Sequence, residues 1–414
     1  MNAERPMKIM FVNPGGQAQG GAERSLEALI GGLADRGHEP LVALMARGDA
    51  ASSFSKAGAT IVGVLADELQ VAPRHSGLGR FVAGAAAAAP TVLRIARDIR
   101  RLADLHEADL VHSNGFRSHL LTPLIKPFGP PVVWSLRDRA PRALHRVLLR
   151  GAATSATAIA ANSRFTAEQM AHRRGNTLEV VANPVVAGAI SNRQIARSQL
   201  GLPVESHIIS VVAHLHPSKG HDLMIDALLR WDEPMRPHLV IAGGHLYGDS
   251  SDYEQQLRQQ VTSAGLSDNV TFLGNVDDVW PLYSASDVVA HPCRHPEGFG
   301  RVIVEAQLAG VPVVATAHGG VLDLVTDDDT GLLVPPDDAD ALFTAIDAAM
   351  WDSPRRRRLV TRGRLSGEKF DANAHVESML DIYRAALGRD SVGLQVDIGA
   401  SDPPELDQRP HVLT

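Results

Sequence analysis

The chain has 414 residues, 44% hydrophobic and 21% charged, so it is long enough for two ordinary cores and too balanced in composition for disorder or a fibre. Its one cysteine, Cys293, excludes an internal disulfide and a zinc cluster built from several cysteines, and a reducing, cytoplasmic setting is expected. The net charge of −7 conceals a basic stretch from Val71 to Arg150, with 13 Lys and Arg against five Asp and Glu, but aromatic residues amount to only 4%, so nucleic acid is not the expected partner.

The first apolar run, KIMFVN, passes directly into the turn Asn13-Pro14-Gly15-Gly16 without the pattern of a signal peptide, and reads as a strand. Further strands are expected at PLVALM, TIVGVL, ADLVHSN, PVVWSL, TAIAANS and LEVVANP, separated by helical patterns such as GAERSLEALIGGLADRG. Arg74, Arg80, Arg94, Arg97, Arg100 and Arg101 flank or follow FVAGAAAAAPTVLRIA. That combination suits peripheral contact with an anionic membrane, and equally an amphipathic helix whose arginines face water. Nowhere do about 18 apolar residues run without a charge, as a membrane-spanning helix needs.

Asn183-Pro184 ends the first set of strands, and SNRQIARSQLGLPVES separates it from a second: HIISVVAHL, HLVIAGG, NVTFLGN, DVVAHP, VPVVAT and GLLVPP. Each set is long enough for its own doubly wound parallel sheet. The expected organisation is a first domain over 1–190, a second over 191–370, and a hinge near 184–200. ANAHVESMLDIYRAALG then reads as a final helix at about 371–388, with Val376, Met379, Leu380, Ile382, Tyr383 and Leu387 at helical spacing, packing back on the first domain. Residues 389–414 have little periodicity and are expected to be a disordered tail.

Ligands of open parallel sheets bind beyond the carboxyl ends of strands, so the loops there carry the candidates. Gly15, Gly16, Gly20 and Gly21 follow the first strand and allow close approach to a phosphate at a helix start, or simply reverse the chain. His112 and Asn114, in VHSNG, end another strand, where the imidazole is expected to face the cleft; a structural histidine is the alternative. Arg137 and Asp138 fall on the same rim, either paired with each other or reaching an acceptor phosphate. In the second half, His214 and Lys219 stand in AHLHPSKG before a helix, where an ammonium and free N–H groups together can neutralise a diphosphate. Glu297 and Glu305 flank Gly298-Phe299-Gly300, one on the loop and one inside the following helix, so that two carboxylates can grip one extended polyol ligand. The alternative for Glu305 is a buried carboxylate paired with a nearby basic group. Cys293 reads as a small packed residue.

At these residues the sequence resembles the retaining glycosyltransferases of family 4, which have the GT-B architecture of two Rossmann-like domains facing a cleft. The likeness extends to about Gly388 and rests on the glycine turn, the His112 strand end, Asn162-Ser163-Arg164, Asn183-Pro184, HPSKGHD and PEGFGRVIVEAQLAGVPVVAT. It implies no cofactor beyond a nucleotide-sugar substrate, a UDP- or GDP-sugar, and transfer to a saccharide or lipid-linked acceptor in surface-glycan assembly. By motif, Glu305 would bind the ribose, Glu297 with Gly298, Phe299 and Gly300 the sugar, Lys219 the diphosphate, and Gly16 the same phosphates from the first lobe. His112 would lie near the acceptor and reacting carbon, with Asn114 and Arg137 on the acceptor side. The family's usual Gly-Arg is replaced by Ala213-His214, so phosphate binding is expected to be weaker and pH-dependent unless Arg294 or Arg301 compensates. No Asp-x-Asp motif stands in a plausible donor loop, and metal-independent transfer is expected. Nucleotide-sugar epimerases and sugar phosphorylases share the architecture, and His214 alone motivates a donor-binding protein without turnover.

Overall fold

The computed structural model describes residues 5–16, 20–65, 78–125, 129–140, 142–170, 177–244 and 251–388, with the side chains of 78–88 and 251 left aside. Arg74, the side chain of Arg80 and the tail at 389–414 therefore lie outside the described residues.

Seven parallel strands form the first sheet: β1 (Lys8–Asn13), β2 (Glu39–Leu44), β3 (Thr60–Val64), β4 (Leu110–Ser113), β5 (Val132–Leu136), β6 (Ala158–Ala161) and β7 (Thr177–Val180). Their order is β3-β2-β1-β4-β5-β6-β7. Six more form the second: β8 (Ile208–Val212), β9 (His238–Ala242), β10 (Val270–Gly274), β11 (Val288–His291), β12 (Val313–Thr316) and β13 (Leu332–Val334), in the order β10-β9-β8-β11-β12-β13. The thirteen apolar runs read from the sequence are these thirteen strands. They stand out because a parallel strand covered on both faces is apolar almost throughout.

Both sheets reverse direction of winding once, between β1 and β4 and between β8 and β11. Helices on opposite faces diverge there and leave a crevice at the carboxyl ends of the strands. All four candidate loops issue from these four strands: that beginning with Pro14 after β1, 114–115 after β4, 213–220 after β8 and 292–300 after β11.

The two lobes are joined by two crossings that run side by side, with the N–H of Val185 donating to the carbonyl of Phe370 at 2.9 Å. After the second crossing, Asp371 caps the final helix, Ala372–Ala386, by accepting from the N–H of Ala374 at 3.0 Å. The helix buries Val376, Met379, Leu380, Ile382 and Tyr383 in one core with Leu26, Leu29, Ile30 and Leu33 of the helix Gly21–Ala34. It thus returns to the first lobe, as its apolar spacing implies. Truncating Leu380 to Ala, where the side chain is 1% exposed, should lower unfolding free energy by about 2–5 kcal/mol in a denaturant titration. A change below about 1 kcal/mol would mean that the helix adds little to the first lobe's core.

Candidate functional site

In the second lobe, β8 leads through Ala213–His216 into a short turn, Pro217–Lys219, and then into the helix His221–Leu228. From β11 the chain runs through 292–300 into the helix Arg301–Leu308, whose N-cap is Gly300 at φ +101°, a conformation that favours glycine. The two loops are tied together where the N–H of Arg294 donates to the carbonyl of Ser218 at 2.8 Å. Lys219 and Glu297 meet at that junction, the ammonium donating to Oε1 of the carboxylate, with side-chain exposures of 17% and 20% that leave both open to the cleft. His291 Nε2 lies 3.3 Å from Glu297 Oε2, and the Cys293 thiol donates to Oε1 at 3.4 Å. The Glu297 carbonyl accepts from the N–H of Gly320 at 2.8 Å, which seats the loop on the chain after β12.

Glu305 is buried one turn into its helix; Oε1 accepts from Arg301 Nε at 2.9 Å and Oε2 from the Tyr283 hydroxyl at 2.8 Å. The basic pairing considered from sequence is therefore present. One lone pair on each oxygen remains for a ligand hydroxyl. Phe299 points the other way, into an apolar cluster with Ile303, Val304 and Val321, so only the backbone of Gly298-Phe299-Gly300 is offered to a ligand.

Two expectations about the phosphate side are corrected. Burial, and next the charge of Lys219, lower the His214 pKa to about 4, so the imidazole is neutral through the physiological range rather than titrating within it. Arg294 is engaged by two carboxylates, Asp222 at 2.6 Å and Asp337, and Arg301 donates to Glu305 and, at 2.7 Å, to the Pro184 carbonyl. Arg294 is thus neutralised locally. Arg301 lies at the seam, 3.4 Å from Ser25 Oγ of the first lobe.

The first lobe corrects one more. His112 does not face the cleft: it is fully buried, with Nδ1 2.6 Å from the Tyr383 hydroxyl and Nε2 2.8 Å from Ser135 Oγ. Its side of β4 lies under the final helix, and burial holds its pKa well below that of a free histidine. The imidazole fastens that helix to the sheet. Gly16 makes its close approach to protein: a β-carbon there would overlap the Arg47 carbonyl, and its own carbonyl accepts from Ala50 N–H at 2.9 Å.

Asn114 and Arg137 are brought together. Arg137 Nε donates to Asn114 Oδ1 at 2.7 Å and Nη1 to Asn183 Oδ1 at 2.6 Å, while Asn114 donates to Asn13 Oδ1 at 2.8 Å. Arg137 has amide partners rather than a paired carboxylate, and burial brings its pKa down to about 10, leaving it cationic at neutral pH. Gly298 of the second lobe packs against the Arg137 carbonyl so closely that a β-carbon would overlap it. Glu297 and Arg137 therefore sit on loops in contact across the cleft.

A profile described as Glycosyltransferase Family 4 matches residues 19–187, and one described as Glycosyl transferases group 1 matches 192–366, so that between them they span both lobes. The chain belongs to glycosyltransferase family 4, with the GT-B fold. Its structure is similar to that of HepE from Anabaena in complex with UDP, with a TM-score of 0.76 and 26% identity over 92% of this chain and 100% of that one. The HepE complex with UDP and glucose gives 0.75 and 28% over 91% and 99%. Among curated relatives, the D-inositol 3-phosphate glycosyltransferase of Xylanimonas cellulosilytica is 35% identical over 217 residues, 52% of this chain and 51% of that one. The lipopolysaccharide core biosynthesis mannosyltransferase LpsB of Rhizobium meliloti is 32% identical over 196 residues, 46% and 55% of the two chains. The chain thus spans about half the length of the curated relatives it matches.

For this family 4 glycosyltransferase, the sequence reading missed Tyr283, which holds Glu305, and Asn183, which holds Arg137. Tyr283 carries no motif; Asn183 stands in the Asn-Pro that ends a strand and contributes to the family likeness, but neither reading assigns it a partner. The histidines also set an acid limit on stability. Besides His112 and His214, burial lowers His119 and His291 to about 3 and His221 and His375 to about 4, against an ordinary 6.5. The unfolded chain binds protons more readily than the folded one between those values. Unfolding free energy should accordingly be level above about pH 7 and fall from about pH 6.5 towards pH 4, as followed by denaturant titrations across pH; a curve flat to pH 4.5 would contradict it.

Proposed function

We propose that this chain transfers a hexose-type sugar, with retention and without a metal ion, from a UDP- or GDP-sugar to a saccharide or lipid-linked acceptor in surface-glycan assembly. The observation that carries it is the meeting of Lys219 and Glu297 at the β8/β11 switch point, beside the starts of two helices, the second of which carries Glu305. Positive charge, N–H donors and carboxylates there match a diphosphate and two sets of sugar hydroxyls. UDP is favoured by the two HepE complexes, which contain it.

In this reading the donor parts the Lys219–Glu297 pair. Lys219 and the helix starts take the diphosphate, Glu305 the ribose hydroxyls, and Glu297 with the 298–300 backbone the transferred sugar. As the glycosidic C–O bond breaks, the sugar becomes oxocarbenium-like and negative charge grows on the leaving phosphate, where Lys219 stabilises it. A leaving-phosphate oxygen accepts the proton of the acceptor hydroxyl as the new C–O bond forms on the same face. The acceptor enters beside Asn114 and Arg137, whose uncompensated charge favours an anionic acceptor. In support of metal independence, the Asp327–Asp329 run is engaged by arginines, Asp328 with Arg355 and Arg358, and Asp329 with Arg362.

No helix among the described residues is long and apolar enough to cross a membrane. Arg94, Arg97 and Arg101 are exposed on the helix Leu78–Leu105, next to Leu93 at 42% exposure. This face supports peripheral contact with an anionic membrane, which would bring a lipid-linked acceptor to the first lobe.

A thermal-shift screen of UDP-, GDP- and ADP-sugars followed by product analysis tests the reading. With the donor so found, Glu297→Gln should lower kcat by about 100-fold or more, and Glu305→Gln should chiefly raise the donor KM, by about tenfold. Unchanged turnover in Glu297→Gln would remove that carboxylate from the mechanism. Epimerised donor or sugar phosphate as the product would replace transfer by another reaction of the fold. Activity should survive exhaustive chelation; its loss, with recovery on adding Mg²⁺ or Mn²⁺, would overturn metal independence.

A further inference from the structure

The transfer mechanism leaves two buried side chains beside Glu297 without a task, His291 at 4% exposure and Cys293 at 1%. Cys293 Sγ lies 3.3 Å from His291 Nε2 and 3.4 Å from Glu297 Oε1, and His291 Nε2 lies 3.3 Å from Glu297 Oε2. Bond lengths of about 2.0–2.3 Å around a tetrahedral ion put neighbouring donor atoms about 3.3–3.6 Å apart. The two contacts to Glu297 go to different oxygens, and with one donor atom taken from each residue the three lie within 4.8 Å of one another, the one such group of His, Cys, Asp and Glu among the described residues.

We propose that His291, Cys293 and Glu297 form a binding site for a zinc-class ion, with water as the fourth ligand. The donor set of one imidazole, one thiolate and one carboxylate selects Zn²⁺, Co²⁺ or Cd²⁺ over Mg²⁺ and Ca²⁺, which require oxygen ligands. His291 ends β11, and Cys293 and Glu297 stand on the loop that follows, which backbone contacts hold: the Cys293 carbonyl accepts from Thr316 Oγ1 at 2.7 Å and lies 2.8 Å from His318 Nε2, and the Glu297 carbonyl accepts from Gly320 N–H at 2.8 Å. Little backbone ordering is left for the ion to impose. Entry is from the cleft, where Glu297 is partly exposed.

Binding has a defined balance. The thiol of Cys293 releases its proton to solvent, and the Lys219 ammonium leaves Glu297, which the ion then holds. The site is therefore no part of the transfer chemistry; it rests on the same carboxylate, and an ion there withdraws Glu297 from a donor sugar.

The test uses tag-free, metal-stripped full-length protein titrated with CoCl₂ in the absence of any nucleotide, so its outcome does not depend on the transfer reaction. One equivalent should produce a near-ultraviolet thiolate-to-cobalt charge-transfer band with visible absorption of tetrahedral intensity, and ZnCl₂ should bleach both. Cys293 is the chain's single cysteine, so the band has one source. Cys293→Ser should abolish the band, and His291→Ala should weaken binding by at least about tenfold. Lys219→Met, which removes the competing ammonium and leaves all three ligands, should bind Co²⁺ more tightly than the wild type. Should Cys293→Ser fail to fold, the wild-type band and the Lys219→Met comparison decide the matter. No charge-transfer band in the wild type, or binding no tighter in Lys219→Met, overturns the site.

Discussion

A parallel strand joined to its neighbour by a right-handed crossover puts its helix on one face of the sheet, and reversing the strand order moves later helices to the other face. The reversal cannot be made without parting two adjacent loops. Both sheets make it once, at β1/β4 and β8/β11, and the two partings confront one another. The rest of the site follows from this. Helix starts with unpaired N–H groups gather at the crevice, and side chains placed on strand ends and the first helical turn converge without any long loop to carry them.

The seam between the lobes shows how charge is handled there. A buried guanidinium usually has a carboxylate beside it, whereas Arg137 is satisfied by the amide oxygens of Asn114 and Asn183. These bonds meet the hydrogen-bonding demand without cancelling the charge, and the charges of Glu23 and Asp138 act on it from nearby. The crevice thus stays electropositive where an anionic acceptor would arrive. Elsewhere along the seam the charges are paired, as in Arg164 with Asp323, whose two bonds of 2.7 Å join the lobes at an exposed rim.

Much of this was legible because buried parallel strands write continuous apolar runs, and the loops that follow them concentrate glycine and charge. ADLVHSN and DVVAHP each run one residue past the strand end, at Asn114 and Pro292, where the chain leaves the sheet to form the site. The orientation of His112 was not legible. Alternation along β4 says that His112 and Asn114 share a side, but which of them is covered depends on a helix that begins 260 residues later in the chain. Arg294 was opaque for a similar reason, since Asp222 and Asp337 reach it from two other segments. Motif spacing identifies loops; the partners that switch a side chain from free to engaged come from tertiary packing.

That distinction bears most on Lys219 and Glu297. Each motif, taken alone, offers a charge to a ligand, and the structure shows the two charges spent on each other. A fully buried pair of this kind would resist separation, because each partner would be left as an uncompensated charge in a poor dielectric. This pair is partly exposed to the cleft, so water can solvate either member as it leaves, and the exchange of partners is shallow. A diphosphate offers the ammonium more negative charge than one carboxylate does, while sugar hydroxyls offer the carboxylate donors that the ammonium no longer supplies. The neutral imidazole of His291 and the thiol of Cys293, held neutral by burial that pushes its pKa up to about 11, flank Glu297 without competing for Lys219. In the proposed reading, the opening of this pair prepares both of its members for the donor.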